Sequence, residues 1–283
     1  MKCFNLGSDP SAPPVIAAHG ITSNSHAWLA VARALAGDAT LVAADLRGRG
    51  DSAEIEGPFG ADAHVSDLVA ILDRLELERA VLAGHSLGGF IVARLAAHHP
   101  DRIAGVVLVD GGLRVPATES IDAQQMADLV LGPALARLRL IFASAEEYRQ
   151  WWREHPAIDG SDISAEDLIG FADHDLVGSE PELRSSVREE AVRSDAQDLP
   201  NTGTEAEGLS IPATLLCAPR GMTNDPNPIQ PWPVVEAWAA GDPGRRRARL
   251  VEDTNHYTLL MGSRGAEAVA DAMRAALGAV ASG

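Results

Sequence analysis

Ser86 stands at the centre of Gly84-His85-Ser86-Leu87-Gly88, a G-x-S-x-G pattern between the apolar run Val81-Leu82-Ala83 and a helix-like stretch over 87–98. A strand that turns abruptly into a helix forces its central residue into a strained backbone conformation and presents that side chain at the helix N-terminus. Small residues on either side allow the close backbone approach this needs. The free amides and the dipole of the helix start favour an oxyanion, and the amide of Leu87, directly after the serine, is the expected first donor. A hydroxyl placed this way suits nucleophilic attack on an acyl carbonyl, provided a base takes its proton. A glycine-rich turn without chemistry would also fit five residues. The strand before, the helix after and His19-Gly20 upstream favour the catalytic reading. His85 is expected to pack beside the turn.

The elements that must position this serine follow a regular order. Val15-Ile16-Ala17-Ala18, Leu41-Val42-Ala43-Ala44, Val81-Leu82-Ala83 and Val106-Val107-Leu108-Val109 are short and uniformly apolar, as strands of a parallel sheet covered on both faces require. Between them, residues 25–36 and 62–76 carry apolar positions at helical spacing, with Val65, Leu68, Val69, Leu72 and Leu75 on one face of the second. Repeated strand–helix order gives right-handed crossovers and an α/β, doubly wound, mostly parallel sheet. The rhythm breaks at Gly111-Gly112 and resumes at Ala213-Thr214-Leu215-Leu216-Cys217, followed by a helix near 233–240, a strand at 248–251 and a last helix over 264–280. Residues 1–112 and 209–283 thus read as one core domain, and 113–208 as a helical lid inserted after the strand that ends near Asp110.

His19-Gly20, Asp45-Leu46-Arg47-Gly48-Arg49-Gly50-Asp51-Ser52, Gly84-His85-Ser86-Leu87-Gly88-Gly89 and Asn255-His256-Tyr257 together resemble the α/β-hydrolase superfamily, in its esterase-like branch with a helical lid. The resemblance covers nearly the whole chain. It implies a base downstream of the serine, and of the nine histidines His256 has the matching context, after a strand and before the last helix. It also implies a second oxyanion donor, the amide of Ile21, and makes His19 a loop-orienting residue. The acid that holds the imidazole tautomer is expected at Asp225, after the strand ending at Cys217. The loop before it, Ala218 to Asn224, is longer than the usual turn, and Asp110 is the alternative acid. Asp45, Arg47 and Asp51 are expected to form a salt-bridge network that positions their loop, while His98, His99 and His174 are expected at the surface.

Such a site implies a serine hydrolase acting on a carboxylic ester of a small or medium, largely apolar substrate through an acyl-enzyme. Thioesterase, C–C hydrolase or acyltransferase chemistry with the same residues, or a ligand receptor on the same fold, are the alternatives. By the same resemblance, a serine argues against dehalogenase or epoxide hydrolase activity, where an aspartate stands in its place. Trp28, Trp151, Trp152 and Phe142, with Ile21, Met126, Leu138 and Ile141, are candidates for the pocket, although only one or two are expected to touch substrate. No fixed cation clamp is evident, although Arg137, Arg139 and Arg149 lie in the expected lid and could meet a substrate carboxylate.

Composition narrows the partners. With 23 Lys+Arg against 40 Asp+Glu and a net charge of -17, neither nucleic acid nor an anionic membrane is an expected partner. The cluster Arg245-Arg246-Arg247, with Arg249, reads as a solvated loop entering a strand. Cys3, expected near a mobile terminus, and Cys217, expected in a buried strand, argue against a disulfide framework, and no metal-ligand spacing is present. No metal or organic cofactor is expected. The first residues hold no apolar segment of signal-peptide length, so a cytoplasmic protein, monomer or homodimer, is expected.

Overall fold

The computed structural model describes residues 1–6, 12–114, 132 and 135–281. Seven strands form the central sheet: β1 (Lys2–Asn5), β2 (Pro14–Ala18), β3 (Thr40–Asp45), β4 (Ala80–His85), β5 (Ile103–Val109), β8 (Ala213–Cys217) and β9 (Arg246–Leu250). Their order is β1-β3-β2-β4-β5-β8-β9, and every pair is parallel except β1 with β3. The antiparallel edge strand is an addition to the sequence reading. Cys3, expected in a mobile terminus, sits in β1 opposite Ala44.

Alternation within the buried strands explains why they read as continuous apolar runs. Val15 and Ala17 pack with Val31 of α1 (Leu29–Ala34) and with Val269 and Met273 of the last helix. Ile16 and Ala18 point the other way, toward Leu68 and Leu72 of α2 (Ala61–Arg74) and Ile91 and Leu95 of α3 (Leu87–His98). Both faces are therefore dry, and each fully buried Leu or Ile contributes roughly 1.5–3 kcal/mol. Edge strand β9 differs: it alternates half-buried and exposed residues and contains Arg246 and Arg247, so the basic cluster enters the strand itself. Arg246 lies 5.5 Å over the Trp238 ring, which lets an arginine stem cover apolar surface at a sheet edge.

Between β5 and β8 the described chain is helical, with α4 (Ala145–Arg153), α5 (Ala165–His174) and α6 (Glu189–Asp198), plus a two-stranded ribbon of β6 (Leu176–Val177) and β7 (Arg184–Ser185). Ser144 and Ser164 cap α4 and α5 by accepting from the amides of Glu147 and Asp167. No helix among the described residues is long and apolar enough to cross a membrane. Because β2, β4, β5 and β8 run parallel, the loops after them gather at one edge of the sheet, where a site is expected.

Candidate active site

Ser86 joins β4 directly to α3 with φ 53° and ψ -119°, a region costing on the order of 1–3 kcal/mol for a residue with a side chain. The surroundings hold it there. Its amide donates to the Val109 carbonyl at 2.9 Å, and its carbonyl accepts from Gly89 at 2.9 Å. A Cβ at Gly84 would lie 2.1 Å from the Gly88 oxygen, and one at Gly88 would lie 2.1 Å from the Ala18 oxygen, so backbone contact demands glycine at both.

His256 is buried, and its Nδ1 lies 2.7 Å from Asp110 Oδ2. Asp110, directly after β5, is fully buried with φ 46°, and its other oxygen accepts from the Ala218 amide at 3.3 Å. A proton on Nδ1 directed at the carboxylate leaves Nε2 as a lone pair, the form a base needs. The turn around His256 is fixed by Asn255, whose Oδ1 accepts from the amides of Tyr257 and Thr258, both at 2.9 Å, and whose Nδ2 donates to the Ala157 carbonyl. His85 donates from Nε2 to the His256 carbonyl at 3.0 Å. Burial, then the neighbouring His256, keeps His85 well below the ordinary histidine range, so it packs as a neutral ring.

The expectation for Asp225 is corrected by this geometry. Its carboxylate is half-exposed and accepts from the amide and side chain of Asn227 at 3.0 and 2.9 Å and from the Thr223 hydroxyl at 2.9 Å, all within its own loop. The long loop curls back on itself instead of reaching the imidazole, and the alternative, Asp110, occupies that place.

The loop after β2 carries Ile21. The amides of Ile21 and Leu87 donate to no other group among the described residues and are free to face an oxyanion. The carbonyl of Gly20, at the opposite end of the peptide that carries the Ile21 N–H, accepts from His19 Nδ1 at 2.7 Å and from the Ser23 amide at 3.2 Å. His19 Nε2 accepts from Leu46 N at 3.0 Å, which fixes the tautomer; burial holds its pKa down at about 4 despite the attraction of Asp45. His19 thus orients this loop as a neutral ring.

Asp45, Arg47 and Asp51 do not pair with one another through their side chains. Asp45 accepts from the amides of Ser25 and Asp51 and from His174 Nε2 at 2.7 Å, whereas Arg47 forks onto Asp67. His174 is therefore a half-buried partner of Asp45, unlike His98 and His99, which are exposed.

A cavity of about 30 Å³ for water-sized groups, within some 380 Å³ of empty space, opens beside Ser86 and His256. Among the described residues, Gly20, Ile21, Thr22, Ser23, Ala27, His85, Met222, Tyr257, Leu260 and Met261 also line it. Of the aromatic candidates, Trp28, Trp152 and Phe142 are buried in the core and Trp151 packs against it, and none lines the cavity. Those aromatics join the helical segment to the sheet, with Trp152 edge-on to Phe171 and under Arg137. Leu138 and Ile141 also lie away from the cavity, and Met126 is outside the described residues. Arg139 and Arg149 form exposed pairs with Glu189 and Asp173, leaving Arg137 as the buried one. The missed wall had a signal in part: Tyr257, Leu260 and Met261 follow His256 within five positions. Met222 had none, since only the curl of its loop brings it in. Among the described residues no group of side chains could hold a metal ion.

Comparisons with known proteins agree with the fold. Residues 13–140 match the family described as alpha/beta hydrolase fold. The chain is 36% identical over 132 residues to lipase LipV of Mycobacterium tuberculosis, a match covering 45% of this chain and 50% of that protein. It is 31% identical over 217 residues to a fluoroacetate dehalogenase of a Burkholderia species, covering 62% of this chain and 70% of the dehalogenase. The chain spans half or less of the length of lipase LipV and of the Mycobacterium bovis protein Mb2734, of which it covers 38%. A crystal structure of an E-2-(acetamidomethylene)succinate hydrolase superposes with TM-score 0.77 at 21% identity, over 95% of this chain and 92% of that one. A thioesterase domain from curacin biosynthesis superposes at 0.72 and 20% identity, over 96% and 93%. With a seven-stranded, mostly parallel sheet and a relative matched over more than two thirds of its length, the chain belongs to the α/β-hydrolase-fold family.

Proposed function

We propose that the protein is a serine hydrolase that cleaves carboxylic esters with a small or medium, largely apolar acyl group. The observation that carries this reading is the junction of three strand ends: Ser86 on its strained turn after β4, Asp110 after β5, and His256, beyond β9, paired with Asp110 and lining one cavity with Ser86. In this reading His256 Nε2 takes the Ser86 proton as Oγ bonds to the acyl carbon. The amides of Ile21 and Leu87 receive the oxyanion, and the imidazolium that forms is stabilised by Asp110. His256 then gives its proton to the leaving alkoxide. Water repeats the sequence on the acyl-serine, releasing the acid and restoring Ser86. The acyl side is read as short and uncharged, because Ile21, Ala27, Met222, Leu260 and Met261 surround little open volume and, among the described residues, no lysine, arginine or carboxylate lines it.

Dehalogenation fits less well in spite of the dehalogenase relative. Displacement of a halide by a serine hydroxyl would leave an alkyl ether, with no carbonyl for water to attack. Thioesters and activated C–C bonds present the same carbonyl and fall within the same mechanism.

The test is turnover of p-nitrophenyl esters of increasing acyl length, with fluorophosphonate labelling alongside. Wild type should label and turn over, with acetate and butyrate preferred to octanoate. Ser86→Ala should lose the label and on the order of 10⁶-fold in kcat. A folded wild type that neither labels nor turns over any ester would overturn the reading.

A further inference from the structure

The loop that carries Ile21 is gripped by two buried arginines that the chemistry of the triad does not use. Arg49 is fully buried, and its Nε and Nη2 donate to the Ile21 carbonyl at 3.0 and 2.9 Å. Its charge is met by Asp195 of α6 at 2.6 Å, which also accepts from His64 at 3.0 Å and from the Gly60 amide at 2.8 Å. Arg137, in the helical turn at 135–138, is 2% exposed and donates from Nη2 to the next carbonyl, that of Thr22, at 2.8 Å. Its charge is met by Asp175, with Tyr148 bridging the two. Both counter-ions thus come from the helical segment between β5 and β8, and both arginines reach consecutive carbonyls of one loop.

Stability alone is a poor account of this arrangement. A buried ion pair is often no more stabilising than apolar residues of the same volume, because desolvation offsets the attraction. What two guanidinium groups supply that apolar side chains cannot is direction. The carbonyl of Gly20 is held by His19 and Ser23, that of Ile21 by Arg49 and that of Thr22 by Arg137. Three successive peptide planes are then fixed, and the Ile21 N–H belongs to the first. An oxyanion donor is effective when it need not reorganise as charge develops, so immobility of this loop acts on the transition state more than on substrate binding.

We propose that Arg49 and Arg137 are positioning residues of the oxyanion loop, held in place by counter-charges that the helical segment supplies through Asp195 and Asp175. The inference rests on the serine-hydrolase reading. It gives the helical segment a role in the rate of acyl transfer besides covering the site.

Arg49→Lys and Arg137→Lys test it, since lysine keeps the charge beside the carboxylate but lacks the planar fork. The readouts are kcat and KM on p-nitrophenyl butyrate, the inhibition constant of butylboronic acid, which forms a tetrahedral adduct on serine, and Tm. Each variant is expected to lose about 10- to 100-fold in kcat with KM within about threefold, and the boronate should weaken by the same factor as kcat. Unchanged kcat in both variants, or a fall in kcat with boronate affinity intact, would overturn the proposal. So would failure of both variants to fold, which would make the arginines structural. If one variant does not fold, the other decides. A wild type that neither labels nor hydrolyses overturns the serine-hydrolase reading itself, whereas an active wild type with indifferent variants overturns only the clamp.

Discussion

Asp110 and Asp225 follow the carboxyl ends of adjacent parallel strands, β5 and β8, yet their surroundings are opposite. Asp110 sits fully buried on a left-handed turn, with one oxygen on His256 and the other on the Ala218 amide. Asp225 is half-exposed, and its own loop satisfies it: the Asn227 backbone first, then Thr223 and the Asn227 side chain, hold its carboxyl down at about 2. A carboxylate in a dry site acts on a neighbouring imidazole through weak screening, whereas one in water is screened within a few ångströms. The comparison teaches that proximity in fold topology does not choose which carboxylate meets the imidazole. Choice falls to the side chain whose lone pairs are left for the imidazole after its own loop is satisfied.

The strongest attack on this comparison is Asp110→Asn. An amide cannot hold the Nδ1–H tautomer or balance the imidazolium, so kcat/KM for an ester should fall by about 10³–10⁴-fold. Steady-state kinetics, with circular dichroism to confirm folding, decide the matter. If Asp110→Asn retained activity and Asp225→Asn lost it, the contrast drawn between the two strand ends would be reversed.

The contrast also shows what a sequence can and cannot tell. Strands β2 to β5 were legible because burial on both faces leaves uniformly apolar runs, and Ser86 was legible because its turn needs glycines at fixed offsets. His256 was legible by its place before the last helix. The carboxylate that meets His256 was not, since strand order gives two equivalent positions and only the path of the 218–227 loop separates them. The short edge strand β1 carries no apolar run, so no periodicity marks it. Large aromatics drew attention as pocket residues, but Trp28 and Trp152 are the bulk that seals the helical segment to the sheet, and a small cavity is walled by residues of modest size.

A second, smaller effect extends the contrast between dry and wet strand ends to pH. His19, after β2, is fully buried and held at about 4, first by burial. Its folded value lies below its unfolded one, so in the interval between them the unfolded chain binds the proton and stability falls as pH falls. The effect is absent above about pH 6.5 and complete near pH 4, amounting to about 3 kcal/mol. Urea unfolding at pH 7 and pH 4.5 should therefore show wild type losing about 2–3 kcal/mol more than His19→Asn over the same interval. Equal losses would mean that the His19 ring is not the group being charged.

The smallest expected effect belongs to Asp225→Asn, and it sharpens the comparison most finely. Asparagine can keep one oxygen on the Asn227 amide but loses the acceptor that receives the Thr223 hydroxyl, so the loop slackens without opening. The backbone bond from Gly221 to the Asp225 carbonyl, at 2.9 Å, stays, and Met222 next to it lines the cavity. Any change should therefore reach the substrate through Met222 and not through the imidazole. The expected result is kcat unchanged and KM raised by no more than about twofold, with a stability loss of about 0.5–1.5 kcal/mol from the missing hydrogen bond. The pH dependence of kcat is the more searching readout. If Asp225 had any part in setting the His256 tautomer, its acidic limb would move in this variant, whereas a loop-holding Asp225 leaves that limb where wild type has it.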